Sequence, residues 1–183
     1  MRSSNKSWPM MVTAVAFFGA GAIVRFLPHP PNMTPLTAMA LLAGVAWPMP
    51  VAALFAIGAM LVGDLALGWV AQNLMGYVSL ALIVALGTRL RARLRPGWMT
   101  VSAIAGSLIF FLLSNFGVWA EGRLYPRTWE GLMACYVAGL PFYRNQLVGD
   151  LLYTTILVGG FAWICRWRRW PALQHPAAAR VPA

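Results

Sequence analysis

The sequence predicts an all-α fold, an integral membrane bundle of about six transmembrane helices with an outer-face cap segment, and three observations predict it. Of the 183 residues, 60% are hydrophobic and 10% are charged, whereas a water-facing domain charges roughly a quarter of its positions. The apolar residues gather in runs bounded by turn signals, several near the about 20 residues that cross a hydrocarbon core. Backbone groups left unpaired in lipid cost several kcal/mol each, so runs of this kind must be helical.

The first run, 9–27, follows Arg2 and Lys6. Those bases resemble the start of a signal peptide, but the small residues that follow lead into more membrane-type sequence, so the helix is expected to be retained. The second run, 35–47, opens on Thr34 as an N-cap with Pro35 at the first helical position, and Pro48 and Pro50 punctuate its far end. At about 1.5 Å per residue it is about 20 Å long, too short to cross unaided. It must be tilted, broken or shielded by protein. The remaining runs are 51–70, 74–90, 98–119 and 145–166. Residues 1–170 thus read as one transmembrane helical domain. The stretch 171–183, rich in Pro and Ala, reads as a flexible cytoplasmic tail.

Orientation follows from the bases. Arg2 and Lys6, the run Arg89, Arg91, Arg93 and Arg95, and the run Arg166, Arg168 and Arg169 fall on one side of a six-crossing chain, which makes both termini cytoplasmic. The formal charge of +10 is therefore a topology signal. Clusters beside apolar runs lack the continuous basic face that nucleic acid requires, which excludes that partner. The opposite face receives 28–33, 69–73 and the long stretch 120–145. Within the last, 131–140 is apolar enough to lie on or dip into the interface, flanked by Trp129, Tyr136, Phe142 and Tyr143, and reads as an outer cap.

Only four acidic residues exist, and Asp64 and Asp150 lie inside apolar helices, where a charge is costly and marks a functional candidate. Each is expected roughly 7–9 Å below the outer surface, the level also expected for Arg25 and Asn115. They either pair with bases to hold helices together or line a cavity open to the outer face, with Asn32, Trp119 and Tyr153 completing it. Both aspartates sit in Leu-Val-Gly-Asp-Leu, at 61–65 and 147–151. An inverted repeat of two three-helix halves would give these helices opposite directions.

On the first helix Ala16 and Ala20 form a small-xxx-small pair suited to close helix approach, inside the bundle or against a partner. Cys135, in the cap, is either a soft ligand or a small buried hydrophobe. Cys135 and Cys165 lack a CxxC spacing and neighbouring histidines, so no metal site, disulfide framework or cofactor is indicated. His29, between Pro28 and Pro30, reads as a surface residue. Ser107 and Ser114 have no histidine at helical spacing, so no enzyme is expected. Without a Gly-rich P-loop, any ATP hydrolysis belongs to a partner.

Four stretches carry a family resemblance: Arg25-Phe-Leu-Pro-His-Pro-Pro-Asn-Met-Thr-Pro-Leu-Thr-Ala, Phe110-Phe-Leu-Leu-Ser-Asn-Phe-Gly-Val-Trp119, Tyr125-Pro-Arg-Thr-Trp-Glu-Gly-Leu and Pro141-Phe-Tyr-Arg-Asn145. Over residues 20–160 the chain resembles a bacterial family of six-helix membrane proteins of unknown function. Its layout is similar to the substrate-binding S components of energy-coupling-factor vitamin transporters. That likeness implies an inner-membrane protein whose Ala16 and Ala20 dock an energy-coupling membrane partner. It also brings in BtuM-like cobalamin transporters, which use a cysteine in the loop after the third helix. This chain has Gln72 and Asn73 there, so a corrinoid substrate is not implied by Cys135.

The expected function is a substrate-binding uptake protein of the lipid bilayer for a vitamin-sized solute, with a corrinoid among the candidates. Asp64 and Asp150 would orient its polar groups, Arg25 would balance their charge, and aromatic side chains would cover its apolar surface. The alternative is a structural or assembly subunit of an envelope membrane complex.

Overall fold

The computed structural model describes residues 8–24, 26–66 and 74–168. Helices α1 (Trp8–Val24), α2 (Leu36–Ala46), α3 (Met49–Ala66) and α4 (Leu74–Leu90) are followed by a 3-10 turn (Arg91–Arg93) and α5 (Pro96–Glu121). Then come α6 (Trp129–Thr154), a π-helical turn (Thr155–Gly159) and α7 (Gly160–Trp167). The last three form one uninterrupted helical run, Trp129–Trp167, of 39 residues. Among the described residues there is no strand, and four helical runs are long and apolar enough to cross a membrane. The architecture is that of an integral membrane helix bundle.

The bundle is organised around its shortest helix. Every residue of α2 is buried, and α1, α3, α4, α5 and α6 all pack against it. A helix apolar on all sides belongs inside a bundle, so of the three explanations for its length, shielding by protein is the one realised. Its closest neighbour is α4, where Gly44 and Gly87 cross: a Cβ on Gly44 would stand 2.2 Å from the Val84 carbonyl oxygen, and one on Gly87 2.4 Å from that of Leu41. Only glycine lets the two backbones meet this closely.

The end of α2 explains one base of the arginine run. The last carbonyls of a helix have no partner within it. Here Trp47 N–H donates to the Ala43 carbonyl at 2.9 Å, and the Arg91 guanidinium takes three more, with Nε to Val45 O at 2.7 Å and Nη2 to Gly44 O at 3.0 Å and to the C-cap Trp47 O at 2.6 Å. Trp47 stacks on Phe55 with ring centroids 4.7 Å apart, and Phe18 meets both edge-on. At the other end, Pro35 rather than Thr34 occupies the N-cap, without a side-chain cap. Its carbonyl accepts from Met39 N–H at 2.8 Å, and starting the helix one residue later leaves Thr34 outside it.

Arg166 Nη2 donates to the Leu94 carbonyl, which joins the end of α7 to the approach to α5. The α2–α3 turn, the α4–α5 turn and the last described helix thus share one end of the bundle, the arginine end. The expected span 145–166 is the second half of the long terminal run. The stretch 131–140, expected to lie on or dip into the interface as an outer cap, is part of α6, which packs against α5 as a hairpin. Gly122, with φ 69°, ends α5 in the left-handed region. Trp119 Nε1 donates to the carbonyls of Pro126 (3.0 Å) and Thr128 (3.2 Å), and Thr128 Oγ1 caps α6 by accepting from Gly131 N–H at 3.2 Å. Tyr136 then bonds Leu112 O at 2.8 Å across the hairpin. These contacts keep α6 helical through Pro141, whose ring removes one N–H from the ladder.

Candidate functional site

Three polar residues of α6, Gln146, Asp150 and Thr154, stand one turn apart on one face, the face an i, i+4 spacing defines. All are buried, and Asp150 is 0% exposed. That face meets α5 at Ser107 and the start of α2 at Thr37, both buried. Gly106 makes the approach possible, since a Cβ there would stand 2.9 Å from Thr37 Cγ2. Gln146 Nε2 ties the group together: it donates to Ser107 O at 2.9 Å and Ser107 Oγ at 3.2 Å, and faces Asp150 Oδ2 at 3.5 Å. Ser107, Thr37 and Gln146 are the side chains that surround the carboxyl.

Two atoms of this cluster are left over. Asp150 Oδ1 and Thr154 Oγ1 are buried and have no hydrogen-bond partner, and no basic side chain among the described residues pairs with Asp150. Buried polar atoms are almost always satisfied, so each exception needs a reason. Thr154 also lines a pocket of about 340 Å³ between the start of α5 and the α6–α7 junction, with Met99, Thr100, Ala103, Trp163 and Arg166 among the other walls. The pocket thus opens toward the arginine end. The π-helical turn begins at the next residue, Thr155. Such turns recur where a helix serves a function rather than only spanning.

The described residues among those expected to share one outer cavity are distributed over five places. Arg25 lies outside the described residues, as do Gln72 and Asn73. Asn32 is exposed in the α1–α2 connection with φ 62°. Asp64 is half-buried and accepts from Tyr77 OH at 2.6 Å, linking α3 to α4. Asn115 and Trp119 belong to the α5–α6 hairpin: Asn115 Nδ2 donates to Phe111 O at 2.8 Å, and the Cys135 thiol meets Asn115 O at 3.4 Å. Tyr153 is half-buried against the apolar core. Asp150 alone sits in the polar cluster. Neither the 340 Å³ pocket nor an apolar groove of about 300 Å³ between α1 and α3 is lined by any of the described ones. Equal depth along two helices does not bring side chains together unless their faces also meet.

Ala16 and Ala20 are exposed, on the face of α1 away from buried Ala14 and Phe18, and Gly19 beside them has nothing within 4 Å of its Cβ position. Cys135 and Cys165 are free and buried. Among the described residues no group of three His, Cys, Asp or Glu side chains is placed to hold a metal. His29 Nδ1 stands 2.6 Å from the Leu27 carbonyl in an exposed turn. Thr37, Ser107, Gln146 and Thr154 went unread as a group in the sequence. The stripe Gln146-x-x-x-Asp150-x-x-x-Thr154, a polar line in an apolar helix, is the signal for Gln146 and Thr154, whereas no local pattern points to Thr37 on α2 or Ser107 on α5.

The chain belongs to a family of unknown function, DUF6580, whose model matches residues 4–173. Among curated proteins and among solved structures, nothing matches it.

Proposed function

We propose that this protein is a substrate-binding uptake protein of the bacterial inner membrane, similar in role to an S component, with both termini cytoplasmic. The observation that carries the reading is Asp150: a fully buried carboxyl in a membrane bundle, among hydroxyl and amide side chains from three helices, with one oxygen unpartnered and no basic side chain paired with it among the described residues. Ionisable groups held in this way are expensive and mark solute and ion pathways. Thr154 connects the cluster to a pocket of about 340 Å³, at the small end of the roughly 300–1,000 Å³ typical of ligand sites. That volume favours a small amphipathic solute over a corrinoid. With the arginine end cytoplasmic by the positive-inside rule, the pocket faces inward, the side of release. The exposed Ala16–Ala20 face of α1 is where an energy-coupling membrane partner would dock.

A second reading, a structural or assembly subunit, draws on the exposed apolar side chains Trp129, Val137, Leu140 and Phe142 along the α5–α6 hairpin. Native mass spectrometry of the gently solubilised protein separates the two. The uptake reading expects a retained small molecule of constant mass that Asp150→Asn loses without unfolding. Apo protein bound to a stoichiometric protein partner would move the assignment to assembly.

A further inference from the structure

We infer that the polar cluster is a binding site for a monovalent alkali cation of the sodium class, held by Asp150 Oδ1, Thr154 Oγ1 and the hydroxyls of Thr37 and Ser107. The inference deepens the uptake reading and rests on it only for the site's role in transport; the site itself rests on the two orphaned oxygens. Asp150 Oδ1 and Thr154 Oγ1 lie one turn apart on α6, yet neither bonds the other or any protein group. A single ion seated between them would satisfy both. Gln146 occupies the other carboxyl oxygen and is itself anchored on Ser107, so it turns Oδ1 away from its own amide and fixes the carboxyl.

The donor set selects the occupant. All the atoms offered are oxygens, which suit a hard cation and not the soft or borderline metals that take thiolate and imidazole. One carboxyl stands among neutral hydroxyls, enough to balance a single positive charge and too little for a divalent ion, whose sites draw on several carboxylates. A cation also removes the cost of an uncompensated buried anion, which a bridging water does not. The pentapeptide holding Asp64 supplies the contrast. There Tyr77 OH donates to Oδ2 at 2.6 Å, Asp64 is half-buried, and neither of its oxygens is a buried atom without a partner.

The test is the thermal unfolding midpoint of the purified full chain in lipid nanodiscs. NaCl is titrated against choline chloride at constant ionic strength, with KCl in parallel. The expected result is a saturable rise with sodium, a weaker one with potassium and none with choline. Asp150→Asn should abolish it, Thr154→Val should raise the sodium concentration at half-effect at least tenfold, and Asp64→Asn should leave it unchanged. If Asp150→Asn fails to fold, the Thr154→Val titration decides. Identical midpoints in sodium and choline would overturn the inference and leave water or a proton as the occupant. A small molecule retained in sodium-free buffer would keep the uptake reading standing through that failure.

Discussion

Replacing Gly44 with alanine tests the packing on which the site depends. The added Cβ would stand 2.2 Å from the Val84 carbonyl oxygen and 2.9 Å from Gly87 Cα, whereas an ordinary carbon–oxygen contact is about 3.3 Å or more. Both obstructing atoms are backbone, so neither can rotate aside. Helices α2 and α4 must part by about 1 Å, and a gap of that size forfeits a quarter to a half of the dispersion attraction across it. Overpacking of this kind costs about 1–3 kcal/mol, and the worst case, set by backbone on backbone, belongs at about 3. Alanine returns about 1 kcal/mol in helix propensity, leaving a net loss of about 2 kcal/mol. Equilibrium unfolding in mixed micelles measures it, with Gly58→Ala as the control, because a Cβ at Gly58 meets nothing within 4 Å. The control should be neutral or stabilised by up to about 1 kcal/mol. Equal behaviour of the two variants would refute the account of α2 as a helix clamped by glycine contact.

Other consequences follow from the same geometry. Arg91→Met removes three hydrogen bonds from carbonyls at the end of α2 and should cost about 2–4 kcal/mol in the same assay. Arg91→Lys should recover only part of it, since an ammonium lacks the fork that reaches three acceptors; exposed Arg89→Met should leave stability unchanged. Both cysteines are buried, so a membrane-permeant maleimide should label neither Cys135 nor Cys165 in the folded protein and both after unfolding, as intact-mass measurement will show. Trp119→Phe loses the indole N–H bonds to Pro126 and Thr128. It should destabilise by about 1 kcal/mol and speed hydrogen exchange at residues 122–128 while leaving α2 protected.

Much of the fold was legible because hydropathy reports burial in lipid without reference to neighbours. The first five runs match α1 to α5 to within a few residues, and Pro96 and Gly122 bracket α5 as helix-start and helix-stop chemistry requires. The sixth was read at half its length. Pro141, Arg144 and Asn145 look like a break in a linear reading, and what keeps the helix going is tertiary: Tyr136 on Leu112, Gly139 against Asn115, and the Thr128 cap. Arg91 shows a different limit. In the sequence it is one of four evenly spaced bases and serves topology, while its distinct role depends on α2 ending within reach, which no local pattern encodes.

The candidate site was legible in one residue. Burial of a carboxylate flagged Asp64 and Asp150 alike, and their identical pentapeptides gave no means to rank them. The structure separates them by surroundings: Asp64 meets a tyrosine hydroxyl on α4, and Asp150 meets a polar face built from α2, α5 and its own helix. Depth along a helix is a one-dimensional quantity, read from residue counts. Which face meets which neighbour is set by helix rotation, and that follows from contacts such as Gly106 on Thr37.

The most direct test of the solute-binding reading is an experimental structure of the wild-type chain in lipid, resolved well enough to see ordered solvent and ions. The account predicts compact density linking Asp150 Oδ1 to Thr154 Oγ1, and non-lipid density in the pocket beside Thr154. A structure in which a protein group satisfies Asp150 Oδ1 and only acyl chain fills the pocket would contradict it.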